Sequence, residues 1–330
     1  MFAAVTGGRQ LCLYIQGRRH SSPFREVPVY DGRIDVSEEV GQAIRAGKAV
    51  VALESTVIAH GLPRPRNLET GADLEAEVRR GGATPATIAV LAGVPKVGLT
   101  NSEMERVGTG DRVLKLSTRD LPVAMARGHD GATTVASTCW LARRTGIEVF
   151  ATGGIGGVHR GEPLDISADL LELGRTSILV VCAGAKSILA LAATREALES
   201  AGVLCLGWRT REFPSFYSVE SGLSVDEMVS DADEVAAIWK SARSAGTPGG
   251  MLLCVPPPAH AALPTKMVEA AIDRALTKAD EQGIRGSDVT PFLLRAIARE
   301  TDGRSLETNI ALLRQNARIG AEVASAIAAG

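Results

Sequence analysis

The 330-residue chain is 45% hydrophobic and 22% charged, which excludes a disordered tail protein and leaves room for one large or two small domains. Its 36 basic and 38 acidic side chains give a formal net charge of −2, too even to mark a nucleic-acid-binding protein, and 4% aromatic residues are too few for base-stacking platforms. No uninterrupted apolar run reaches the roughly 20 residues that a membrane span needs; the longest candidate, Ser177 to Ala193, carries Lys186 near its middle.

Residues 1–33 hold Arg9, Arg18, Arg19 and Arg25 ahead of the first acid, Glu26. They read as an extension outside the fold, with a basic, acid-poor transit peptide as the alternative. From Val36 onward, short apolar strands alternate with amphipathic helices. Ser37 caps a helix that ends near Gly47. Ala49 to Leu53 reads as a strand, Asn67 to Arg80 as a helix closed by Gly81-Gly82, and Thr87 to Leu91 as a strand. Val113 to Leu116 is a short strand. A helix over Thr133 to Thr145 precedes a strand over Ile147 to Ala151. The strand Ile178 to Cys182 leads into a helix from Lys186 to Ser200. Val203 to Leu206 and Met251 to Cys254 repeat the theme. The last third is mostly helix: Asp226 to Ala245, Lys266 to Gln282, and two more after Thr290 and Ser305.

Near-continuous apolar strands between helices imply a sheet covered on both faces. The expected class is α/β, a layered α/β/α arrangement with a central, mostly parallel sheet. No composition break divides residues 34–330, which are expected to form a single catalytic domain. Five widely spaced cysteines, at 12, 139, 182, 205 and 254, offer no CxxC pair. Their odd number and spacing exclude a disulfide framework and the common zinc patterns. Cys182 and Cys254 sit in apolar runs as buried thiols, so the expected compartment is reducing and the location cytoplasmic.

Lys186 is the most informative residue. In Cys182-Ala183-Gly184-Ala185-Lys186-Ser187 it follows a buried strand through a small-residue turn. Open α/β sheets place their sites at the carboxyl ends of strands. Apolar surroundings and the positive end of a helix dipole both disfavour the ammonium form. An uncharged amine there is a nucleophile for a sugar C1 or a carbonyl. A solvated or phosphate-binding lysine is the plain alternative.

In Asp165-Ile166-Ser167-Ala168-Asp169 the two aspartates share a face in either a strand or a helix. They suit a hard divalent cation, unless Ser167 or Asp169 only caps the following helix. The glycine run Gly153-Gly154-Ile155-Gly156-Gly157 lacks the helix and the downstream acid of a dinucleotide fingerprint. With His159 and Arg160 beside it, the run can form an anion nest for a phosphate, or be a bare turn. Glu54 ends an apolar strand, where an unpaired carboxylate is costly; it is read as a general acid or as half of an ion pair. Lys115 and Asn309 look like surface residues.

Several long strings resemble the pseudouridine-5′-phosphate glycosidase family: Leu53-Glu54-Ser55-Thr56-Val57-Ile58-Ala59-His60-Gly61, Gly131-Ala132-Thr133-Thr134-Val135-Ala136-Ser137-Thr138, and Phe150 to Gly161. So do Asp165 to Leu170, Cys182 to Leu189 and Ser305 to Leu312. The resemblance runs from about Val36 to the C-terminus. It leaves out the basic extension and is weakest over Leu223 to Asp233.

The resemblance implies reversible cleavage of pseudouridine 5′-phosphate to uracil and ribose 5-phosphate, by a homotrimer with a Mn²⁺-type cofactor. By motif, Lys186 corresponds to the nucleophile, Glu54 to the proton donor and Asp165 to the metal-binding aspartate. Lys115, Val135, Ser167, Ala168 and Asp169 correspond to substrate contacts, and His159 and Asn309 to further active-site positions. The chemistry accounts for these residue types. A carbon leaving group departs poorly through simple two-carboxylate hydrolysis. A lysine that opens the ribose and forms a Schiff base at C1 supplies an electron sink beside the bond to be broken. A Schiff-base aldolase on a sugar phosphate and a non-catalytic sugar-phosphate sensor are the competing readings. No nucleic-acid or membrane partner is expected.

Overall fold

The structure, a computed structural model, describes residues 34–161, 165–284 and 289–330. The calls on residues 1–33 lie outside the described residues. Ile34–Gly330 forms one compact unit.

The strands are β1 (Asp35–Val36), β2 (Val50–Leu53), β3 (Thr84–Leu91), β4 (Val94–Val97), β5 (Leu114–Leu116), β6 (Gly131–Thr133), β7 (Val149–Ala151), β8 (Leu179–Cys182), β9 (Leu204–Trp208), β10 (Glu227–Val229) and β11 (Met251–Cys254). The helices are α1 (Glu38–Arg45), α2 (Arg66–Arg80), α3 (Asn101–Thr109), α4 (Leu121–Ala126), α5 (Val135–Arg144), α6 (Ala168–Arg175), α7 (Leu191–Ser200), α8 (Ala232–Ala245), α9 (Thr265–Glu281), α10 (Val289–Glu300) and α11 (Arg304–Ala329).

One sheet runs in the order β1-β4-β3-β2-β7-β8-β11-β9-β10, with β6 on β3 and β5 on β6. All pairings are parallel except β3 with β4 and β3 with β6. Every residue of β2, β7, β8 and β11 is buried. Successive side chains point to opposite faces, so both faces are covered, as the unbroken apolar runs require. The long α11 lies across β2, β7 and β8, between α2 and α8, while α5 packs on β2, β3 and β7.

Most expected elements form within a few residues of their expected ends. Ser37 caps α1 by accepting from the Val40 N–H. Cys139, Cys182, Cys205 and Cys254 are buried free thiols. Two expectations fail. The helix expected from Lys186 begins only at Leu191, because the segment before it pairs with the glycine run in isolated bridges, Ile155 with Ala185 and His159 with Leu189. The helix expected from Asp226 begins at Ala232, and Glu227–Val229 instead extends the sheet beside β9. Tertiary pairing overrides local helix propensity in both places. None of the described helices is long and apolar enough to cross a membrane.

Candidate active site

Three adjacent parallel strands, β2, β7 and β8, end side by side. Glu54 follows β2, Thr152 follows β7, and Lys186 stands one short turn past β8. This is where open α/β sheets present their chemistry.

Beyond the strands the two chains stay zipped together. Ala183 donates to the Gly153 carbonyl at 2.8 Å, Ile155 to the Gly184 carbonyl at 3.0 Å, and Lys186 to the Ile155 carbonyl at 3.1 Å. Gly184 makes the turn at φ +73°, and a Cβ there would lie 2.2 Å from the Pro214 carbonyl oxygen. Only glycine fits such a turn without strain. The turn leaves Lys186 half-buried, with Nζ donating to the Gly154 carbonyl at 2.9 Å. The helix dipole expected to act on this lysine is absent, since α7 starts five residues later.

Glu54 is 9% exposed. Its Oε1 accepts from the Thr152 hydroxyl. Burial raises its pKa above the usual carboxylate range, opposed by the positive charge of Lys186, the Thr152 hydrogen bond and the charge of Lys115. A carboxyl so placed favours its protonated form, as a general acid must.

The surrounding motif residues hold the strand ends together. Ser55 Oγ donates to the Ile88 carbonyl at 2.6 Å and accepts from the Thr133 N–H at 2.9 Å. Thr138 Oγ1 donates to Thr133 Oγ1 at 2.9 Å, and Ser137 Oγ donates to the Leu116 carbonyl at 2.6 Å. These bonds fix β5 and the start of α5, and with them Lys115 and Val135.

The two aspartates differ. Asp165 is in neither strand nor helix and its side chain is 51% exposed, with His159 Nδ1 3.9 Å away. Asp169 is buried in the first turn of α6, where Ser167 caps it. Its two oxygens accept from the Gly156 N–H at 2.8 Å and the Ala136 N–H at 2.9 Å. A Cβ on Gly156 would meet Ser167 Oγ at 2.2 Å, so this close approach requires glycine. Asp169 therefore ties three segments together, and the regular shared face expected for the pair does not form.

Arg160 does not serve an anion nest either. It grips Glu269 on α9 at 2.8 and 3.0 Å and donates to the carbonyls of Ser187 and Leu189.

The ten residues given site roles by the family resemblance line one cavity of about 380 Å³: Glu54, Lys115, Val135, His159, Asp165, Ser167, Ala168, Asp169, Lys186 and Asn309. Asn309 reaches it from α11 and is 7% exposed. Pro291 and Leu294 of α10, with Leu313 and Phe216, add apolar wall.

His60 and Thr152 also line the cavity and had not been singled out. His60 Nε2 donates to the Val113 carbonyl at 3.0 Å, next to the strand that carries Lys115. Burial, then the charge of Lys115, lowers its pKa, so the ring is held neutral. The place of Thr152 after an apolar run is legible in the sequence; its partner is not.

Among the described residues, Asp165 offers a divalent cation a carboxylate in this cavity. The Asp165 carboxylate is open, while Asp169 and Oε1 of Glu54 are committed to hydrogen bonds. No cluster of three or more metal-ligating side chains occurs among the described residues. This donor set fits a hard, mostly hydrated ion held by one carboxylate, water and substrate oxygens.

A family model described as indigoidine synthase A like protein matches residues 39–326. A pseudouridine-5′-phosphate glycosidase of Chloroflexus aurantiacus is 59% identical over 295 residues, covering 88% of this chain and 97% of its own. One from Herpetosiphon aurantiacus is 56% identical over 297 residues, covering 89% and 98%. Among solved structures, the prealnumycin C-glycosynthase AlnA in complex with ribulose 5-phosphate aligns with a TM-score of 0.84 at 40% identity, over 91% of this chain and 98% of that one. An indigoidine synthase A-like protein from Thermotoga maritima aligns with a TM-score of 0.83 at 35% identity, over 90% and 97%.

Proposed function

This chain belongs to the pseudouridine-5′-phosphate glycosidase family, and from that premise we propose that the cavity is its active site, with Lys186 as nucleophile and Glu54 as proton donor. The reaction is reversible cleavage of the C-glycosidic bond of pseudouridine 5′-phosphate to uracil and ribose 5-phosphate. One observation carries the assignment: Lys186 and the buried acid Glu54 open onto the same cavity from the ends of β8 and β2, the two strands that flank β7.

In the cleavage direction the Lys186 amine attacks C1 of the ribose. The N–C1 bond forms, the C1–O4 bond breaks, and the proton lost by nitrogen is balanced by the one taken up by O4. The nitrogen lone pair then forms C=N at C1. The electrons of the bond to the base return to the uracil ring, and the proton of Glu54 ends on the ring carbon. Water adds to the Schiff base and releases ribose 5-phosphate; the proton set free restores Glu54. Apolar wall from Pro291, Leu294 and Leu313 limits water around the acid.

The Gly154 carbonyl orients Nζ before attack. Lys115 and the start of α5 at Val135 offer charge and backbone donors for the 5′-phosphate. Ser117 Oγ and Thr134 Oγ1, both buried, lie on the same wall and turn to an anion by a change of rotamer. Asn309, His159, Ser167 and Ala168 border the space left for the sugar and base. Asp165 would hold a divalent cation such as Mn²⁺, which supplies positive charge to order sugar hydroxyls and water. Family membership also supports a homotrimer and a cytoplasmic location; sedimentation tests the first and cell fractionation the second.

Borohydride reduction in the presence of ribose 5-phosphate tests the central step. A covalent pentose phosphate on Lys186, found by peptide mapping, is the expected result. Turnover with no adduct on this lysine would refute the Schiff base.

A further inference from the structure

We propose that Thr152, anchored by Asn316, is a positioning residue that commits Oε1 of Glu54 to a hydrogen bond and leaves Oε2 to carry the proton delivered to uracil. The proposal rests on the reading of Glu54 as proton donor and adds the group that aims it.

Thr152 is fixed from several sides. Its N–H donates to the Val181 carbonyl at 3.0 Å, continuing the pairing of β7 with β8. Its carbonyl accepts from Nδ2 of Asn316 on α11 at 2.8 Å. The side chain is 2% exposed, and its hydroxyl donates to Glu54 Oε1. A hydroxyl carries one proton. Among the described residues it has no other acceptor, so that proton goes to Oε1. An oxygen that accepts this bond keeps its lone pairs, and the acid's own proton belongs on the second oxygen. The Thr152 hydroxyl reaches Oε1, and Glu54 lines the cavity. The transferable proton is thereby held on one known atom before substrate arrives.

Asn316 bears a cost for this. It is wholly buried, and its Oδ1 has no hydrogen-bond partner. An unsatisfied buried amide oxygen lowers stability, and an apolar residue of similar size would avoid it. What the amide does is hold the Thr152 carbonyl. A hydroxyl aimed by so constrained a backbone loses little freedom on bonding to Glu54.

Thr152→Val keeps the shape and removes the hydroxyl. It is expected to lower kcat for cleavage by about tenfold or more, the rate equivalent of one lost hydrogen bond, with KM nearly unchanged. The pH profile gives a second readout. The lost bond favours the carboxylate, so its removal raises the pKa of Glu54 further. Cleavage needs the protonated acid, so the alkaline limb of kcat should move to higher pH. The charges near Glu54, on Lys186, Lys115 and Asp169, are untouched by the substitution. Thr152→Ser should restore both rate and profile.

Asn316→Leu probes the same chain from its far end and should also lower kcat at constant KM. Wild-type kcat and pH profile in Thr152→Val would overturn the proposal, as would a loss confined to KM. Should Thr152→Val not fold, wild-type kcat in Asn316→Leu overturns it instead. Glu54→Gln separates the two levels. Full activity in that variant refutes the proton-donor reading itself. An inactive Glu54→Gln beside an unaffected Thr152→Val refutes only the role of Thr152.

Discussion

The Nζ of Lys186 donates to the carbonyl oxygen of Gly154 at 2.9 Å. The nucleophile proposed here is thus held by the glycine loop that follows β7, a loop zipped to the segment that follows β8. Its backbone lies in an irregular turn, where a side-chain change disturbs no helix.

Lys186→Ala should therefore fold and bind ribose 5-phosphate, yet reduce turnover to background and show no borohydride adduct. Circular dichroism together with mass mapping checks this. Substantial remaining turnover would exclude the amine from the chemistry.

Glu54→Gln should reduce turnover by about 10²- to 10⁴-fold, the usual worth of a general acid. The same change should stabilise the protein. The folded-state pKa of Glu54 is raised. Its contribution to stability is fully present below the unfolded carboxylate value, about 4.5, and is lost as pH rises through the folded value. A glutamine avoids that loss. The Tm of Glu54→Gln should exceed that of the parent at pH 7 to 8, and the gap should close below about pH 4.5. Thermal unfolding across pH measures it; an equal gap at pH 4 and pH 8 would contradict the burial argument.

Asp165→Asn should weaken the metal dependence of turnover without changing Tm, because this carboxylate is half exposed and makes no close ion pair among the described residues. Titration of Mn²⁺ into chelator-treated enzyme checks it. An unaltered metal requirement would remove Asp165 from the cation site.

Arg160→Met should act on stability rather than on phosphate affinity. The guanidinium joins Glu269 of α9 to the carbonyls of Ser187 and Leu189. Losing these bonds at a partly solvated rim costs about 1–2 kcal/mol. KM for pseudouridine 5′-phosphate should stay close to the parent value. A large rise in KM with unchanged denaturant midpoint would return Arg160 to the phosphate site.

Much of this was legible in the chain. The apolar runs at Val50, Val149, Leu179 and Met251 are strands because residues buried on both faces leave no alternation to disguise them. Ser37 announced a helix by the capping chemistry of its hydroxyl. Lys186, Glu54 and Asp165 stood out as polar groups at the ends of, or between, apolar segments. The partners of Arg160 and Asp169 were not legible, since what an arginine or a carboxylate holds depends on residues that sequence distance conceals. Glu269 and Ala136 are such partners.

The linear order of residues was enough to specify an α/β sheet, the carboxyl ends at which its chemistry sits, and the family, because burial pattern and motif are local and additive. Folding in three dimensions settled which oxygen of Glu54 is occupied, what restrains Lys186, and that Asp169 clasps backbone amides. Each of these depends on hydrogen bonds between segments that meet only when distant strands line up, and hydrogen-bond geometry leaves no trace in local composition.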